Sequence, residues 1–110
     1  MPKELAQHKC VSCERGIPPF TKKETQQWMK RIKGWNVIKN HHLVKKFMFK
    51  NFKQALAFVN ELGKIAEEQG HHPDIQLGWG YVIVTLYTHA NNGLSFNDFI
   101  MAAKYDKIKR

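Results

Sequence analysis

Residues 51–73 restrict the fold more than any other stretch. They hold a helical apolar period that opens on a capping asparagine and closes on Gly-His-His-Pro. Asn51 is a strong helix cap because its side-chain oxygen can accept a free N–H of the first turn. Phe52, Ala55, Leu56, Val59, Leu62 and Ala66 then follow at helical spacing and make one apolar face. Gly70 tolerates the left-handed conformation that ends helices. Pro73 pushes His72 into extended backbone, so the chain leaves the helix and enters a strand.

The remaining elements follow from similar signals. Thr21-Lys22-Lys23-Glu24 is a capping box for a first helix. Trp28, Met29 and Ile32 are its apolar stripe, and Gly34 ends it. Trp35–Lys39 and Leu43–Phe49 read as two strands with Asn40, His41 and His42 at the turn between them. Phe47 and Phe49 share one strand face, and Met48 takes the other. Asp74–Leu77 is a third strand, Gly78-Trp79-Gly80 a turn, and Tyr81–Thr88 a fourth, central strand. Ser95 caps a last helix, with Asp98 placed to complete its capping box and Phe99, Ile100 and Ala103 facing the core.

The order α-β-β-α-β-β-α predicts an α+β fold: a four-stranded antiparallel sheet with three helices packed on one face. Residues 1–20 have no period, and Ile17-Pro18-Pro19-Phe20 prevents a continuous helix, so an extended N-terminal arm is expected there. With 110 residues in all, residues 21–110 are expected to form a single domain.

The formal net charge is +9, spread over three regions rather than gathered in one block. No nucleic-acid motif accompanies it, so a solvated basic surface is the expectation and a nucleic-acid partner is not. The most apolar stretch, Tyr81–Tyr87, is far shorter than the roughly 20 residues that span a bilayer. Pro2, Lys3 and Glu4 follow Met1 with no apolar run behind them, so no signal peptide is read. A soluble, cytoplasmic protein without a membrane partner is expected. Cys10 and Cys13 form a Cys-x-x-Cys pair. It fits an inert loop, half of a metal site or a redox pair, and His8 is the sole nearby third ligand.

His8, His41 and His42 fall in the arm or a turn and are read as solvated. His71, His72 and His89 are different, because a hairpin brings them together. Antiparallel partners have residue numbers of constant sum, and a turn near residues 78–81 makes that sum about 158 to 162. His89 then lies opposite residues 69–73, a window holding both His71 and His72. Adjacent residues of an extended segment point to opposite sides, so His71 and His72 are poorly placed to share one metal ion. Imidazole titrates near neutral pH and suits general acid–base work. A hydrogen-bonded histidine pair at a helix end accounts for the spacing equally well.

Glu67-x-x-Gly70-His71-His72-Pro73, the strand Tyr81–Leu86 and then Thr88-His89 resemble the signature of pterin-4a-carbinolamine dehydratases. The similarity extends to Phe49-Lys50-Asn51-Phe52, Gly93-Leu94 and Asn97-Asp98-Phe99, and covers roughly residues 21–106. The run Asn97–Ala103 is similar to bacterial members, and Ile75 stands where animal members carry tryptophan. The resemblance implies dehydration of 4a-hydroxytetrahydropterin to quinonoid dihydropterin, which recycles the cofactor of aromatic amino-acid hydroxylases. It implies no metal or redox cofactor, a homodimer or homotetramer, and a functional link to such a hydroxylase. It places His71, His72 and His89 as catalytic residues, with His71 and His89 the acid–base pair. Glu67, Pro73 and Asp98 are implied to bind substrate. Glu67 lies four residues before His71 on the same helix face, a spacing that fits an orienting group for His71 or a plain surface carboxylate. Trp35 and Trp79 offer flat rings for stacking, although packing in the core or a turn is the commoner role. The alternative is a non-enzymatic protein-interaction module or a basic nucleic-acid-binding module. Animal relatives also serve as dimerisation cofactors of a homeodomain transcription factor. If the metal-free reading is right, exhaustive chelation leaves the rate of 4a-hydroxytetrahydropterin loss unchanged; loss of activity restored by zinc would contradict it.

Overall fold

The fold is taken from a computed structural model that describes residues 4–10 and 18–110. Thr21 opens α1 (Lys22–Met29) through a complete capping box. Its hydroxyl accepts from Glu24 N–H at 3.2 Å, and the Glu24 carboxylate accepts from Thr21 N–H at 2.9 Å. The helix ends at Met29, short of Gly34. The chain turns through residues 30–33, which buries Ile32 while Arg31 and Lys33 stay exposed. Gly34, at φ 80°, then redirects it into β1 (Asn36–Ile38).

Lys39 and Asn40 both have positive φ and close a tight hairpin into β2 (His42–Met48). His42 is therefore the first residue of a strand, not part of the turn. Asn51 accepts Gln54 N–H at 2.9 Å and caps α2 (Phe52–Gln69). The buried stripe of α2 is Ala55, Phe58, Leu62 and Ala66. Phe52 and Leu56, expected on that face, are 43% and 42% exposed. Phe58 decides the rotation, because its ring packs on Phe47 at 4.7 Å and on Phe49 at 5.0 Å.

Strands β3 (Asp74–Gly78) and β4 (Tyr81–Leu86) complete a sheet of order β1-β2-β4-β3, antiparallel throughout. Asp74 pairs with Thr85 and Gly78 with Tyr81, so the same register carried past the strands sets residue 89 opposite residue 70. β4 is central, and Val82, Val84 and Leu86 are fully buried under the helices beside Leu43 and Phe47 of β2. α3 (Phe96–Asp106) buries Phe99, Ile100, Met101, Ala102 and Tyr105, while Ala103 is half-buried. One reason so much of α3 is covered is the N-terminal segment. It was expected to be extended and is so at Glu4 and His8, but Leu5–Gln7 forms a 3-10 turn that packs on α3. Leu5 buries there, and Lys104 donates to the Ala6 carbonyl at 2.8 Å. Among the described residues, no helix is long and apolar enough to cross a membrane.

The two faces of α2 predict opposite responses to truncation. Leu62→Ala, which empties a fully buried site, is expected to cost about 2–5 kcal/mol. Leu56→Ala, on the exposed side, should stay within about 0.5 kcal/mol. Denaturant midpoints at constant m-value check both.

Candidate active site

Gly70 sets the geometry. At φ 65° and ψ 26° it ends α2 in the left-handed region, and its N–H bonds back to the Ala66 carbonyl. The next two side chains then leave on opposite sides. His71 turns inward, with its side chain 11% exposed, whereas that of His72 is 59% exposed. Pro73 follows and leads into β3.

His71 meets Asp98. The Asp98 carboxylate is fully buried, and its Oδ1 accepts from His71 Nε2–H at 2.7 Å. Its Oδ2 accepts from Thr88 Oγ1–H at 2.8 Å and from Ser95 N–H at 2.9 Å. A buried carboxylate is tolerable only when donors surround it, and here there are three. Because Thr88 gives its proton to Asp98, its oxygen accepts from Ser95 Oγ–H at 2.7 Å. With Nε2–H committed to Asp98, the neutral His71 ring keeps its lone pair on Nδ1. Asp98 also sits in the first turn of α3, where a helix dipole favours negative charge.

His72 donates through Nε2–H to Glu67, one turn back from the end of α2. Glu67 thus pairs with His72, not with His71, because Gly70 has turned His71 away from the helix surface. His89 lies just past β4 in a small closed loop. Thr88 and Gly93 bridge it, with Thr88 N–H donating to the Gly93 carbonyl at 2.7 Å. Within the loop His89–Asn91 makes one 3-10 turn, and Asn92 closes it at φ 53°. The His89 ring is exposed and stacks on Tyr87, with centroids 4.3 Å apart and planes 17° apart.

A cleft of about 410 Å³ opens among these groups. His71, His72 and His89 all line it, together with Tyr87, Thr88, Asn97 and Cys10. Glu67, Pro73 and Asp98 do not line it. Asp98 sits behind His71, and Glu67 is 79% exposed beyond His72. Trp35 is buried against Phe47 and donates from Nε1 to Asp106, Trp79 is 71% exposed in its turn, and Ile75 is exposed on edge strand β3. None of these three borders the cleft.

Sequence reasoning missed four residues in or beside the site. Cys10 reaches the cleft because its N–H donates to Gln69 Oε1 at 2.9 Å, a contact 59 residues distant in sequence. Cys13, the other member of the Cys-x-x-Cys pair, lies outside the described residues. Tyr87 was legible as a residue beside His89, but not as a wall. His41 and His42, read as solvated, are both partly buried. Their Nδ1 atoms are 3.1 Å apart, His41 Nε2 is 2.9 Å from Asn92 Oδ1, and the His41 ring lies 4.8 Å from Tyr87. Burial, then His41 and Lys39, hold His42 below the usual histidine range.

A family model described as pterin 4 alpha carbinolamine dehydratase matches residues 18–108. A relative from Rubrobacter xylanophilus is 47% identical over 96% of this chain and 98% of its own length. Another, from Alkaliphilus metalliredigens, is 48% identical over 94% of each. Both carry the family's name. The crystal structure of a transcriptional coactivator/pterin dehydratase from Brucella melitensis superposes with a TM-score of 0.76 at 30% identity, covering 80% of this chain and 95% of that one. A pterin dehydratase-like protein identified as a RuBisCO assembly factor in the alpha-carboxysome gives a TM-score of 0.58 at 32% identity, covering 66% of this chain and 86% of that one.

The buried carboxylate yields a stability test. Thr88→Val keeps the shape of a fully buried side chain but removes one donor to Asp98. The expected cost is about 1–3 kcal/mol, read from the denaturant midpoint.

Proposed function

The chain belongs to the pterin-4a-carbinolamine dehydratase family, and from that membership we propose that its histidine-lined cleft dehydrates a 4a-hydroxytetrahydropterin by acid–base catalysis. The relatives are named as dehydratases, and an enzyme that removes water from its substrate is a hydro-lyase. The observation that carries the reading is the convergence of three imidazoles on one cleft, one of them fixed from behind by a buried carboxylate.

Dehydration breaks the bond between C4a and its hydroxyl oxygen. An acid protonates that hydroxyl, which departs as water. A base takes a ring N–H proton, and the electrons released close the quinonoid double-bond system. Atoms and charge balance without a redox partner. His71 suits the base, because its bond to Asp98 leaves Nδ1 unprotonated in the neutral ring. Asp98 is then a positioning residue that holds the tautomer from behind His71. His89 suits the acid. Its ring stacks on Tyr87 at the cleft wall, and because it is exposed it can exchange protons with water. His72, held by Glu67, orients the substrate from the solvent side. Exposed Ile38 and Ile75 on the two edge strands support association of copies into a homodimer or homotetramer.

Replacing His71 or His89 with alanine is expected to lower the dehydration rate by about 10²–10⁴ each, the range of a general acid or base. The double replacement should cost less than the product of the singles, since the two groups serve one transition state. Stopped-flow rates on variants shown to be folded by circular dichroism check this. Full activity in folded His71→Ala and His89→Ala would remove the catalytic reading.

A further inference from the structure

The loop that carries His89 lies at the same end of the sheet as the hairpin between β1 and β2, because Leu43 pairs with Leu86. His41 sits just before β2 and touches that loop twice. Its ring lies 4.8 Å from the Tyr87 ring, and Tyr87 in turn stacks on His89 at 4.3 Å. Its Nε2 lies 2.9 Å from Oδ1 of Asn92, whose N–H closes the His89–Asn91 turn by donating to the His89 carbonyl at 3.3 Å. The other nitrogen of His41 is also engaged, at 3.1 Å from Nδ1 of His42. With His41 Nε2–H donating to Asn92, neutral His41 accepts at Nδ1 and His42 Nδ1–H donates. One set of tautomers therefore satisfies the whole chain of contacts, and both rings are neutral in it.

An exposed histidine on a one-turn loop has little of its own to hold it. Without Tyr87 the ring would sample several rotamers, and few of them would aim a nitrogen into the cleft. Tyr87 limits that freedom only if it is itself held, and His41 is the ring that packs on it from the hairpin. We propose that His41, through its contact with Tyr87 and its hydrogen bond to Asn92, positions the His89 imidazole, and is a positioning residue for the dehydration. This rests on the reading of His89 as a catalytic group.

The test uses the full chain and three variants. His41→Ala removes both contacts, His41→Phe keeps a ring without the hydrogen bond, and Asn92→Gly removes the hydrogen bond while tolerating the positive φ. The first readout is kinetic. His41→Ala is expected to lower kcat roughly 3- to 10-fold, the size of one lost aromatic pair, with KM changed less than about 2-fold. His41→Phe should recover most of that loss, and Asn92→Gly should show a smaller fall. The second readout is the His89 ring proton resonance in histidine-labelled protein, assigned with His89→Gln. Tyr87 shields it, so it should move downfield in His41→Ala. An unmoved resonance overturns the inference whatever the turnover does. A wild-type kcat, or a loss confined to KM, overturns it as well. If the unmodified chain does not dehydrate the pterin, the proposed function fails, while the resonance still decides whether His41 holds His89. If His41→Ala does not fold, the same two readouts on Asn92→Gly decide, and a wild-type kcat with an unmoved His89 resonance in that variant overturns it.

Discussion

The Asp98 carboxylate joins three segments that would otherwise meet without a common anchor. It receives His71 from the end of α2, Thr88 from the end of β4 and Ser95 from the start of its own helix. A bare carboxylate at zero exposure would be strongly disfavoured. Satisfied by three donors, it becomes a fixed point that sets the spacing of helix, strand and loop at once. The cleft forms against this point, because two of the groups that contact Asp98 or its partners, His71 and Thr88, are also its lining.

The division of labour among the histidines follows from one backbone event. Gly70 takes the left-handed conformation, so His71 and His72 leave the chain in opposite directions. One finds a buried acid and the other a surface acid. Two adjacent and chemically identical residues thereby acquire different environments, which is the usual way for one residue type to take two roles in a site. His89 arrives from β4 through an independent route, and its support is aromatic rather than ionic.

Much of this was readable in the chain. The caps at Thr21 and Asn51 and the stop at Gly70 were legible because capping depends on neighbours three residues away. The meeting of His89 with His71 and His72 was legible because hairpin register is arithmetic once the turn is located. The rotation of α2 was not. Its apolar residues span more than one face, and the decision between Phe52 and Phe58 lay with Phe47 and Phe49 across the sheet. The end of α1 at Met29 was missed for a similar reason, since burying Ile32 depended on contacts outside the helix.

The sequence by itself determined the family, the order of elements and which residues could do acid–base chemistry, because these depend on local caps, periods and motif spacing. Tertiary structure alone decided what each group meets. It put Asp98 behind His71 instead of in the cleft, gave Glu67 to His72, drew Cys10 in from the N-terminal segment and turned His41 from a surface residue into a neighbour of Tyr87. Each of these depends on partners from 5 to 59 residues apart. Such pairings are set by how helices and strands pack, and no local signal in the chain specifies them.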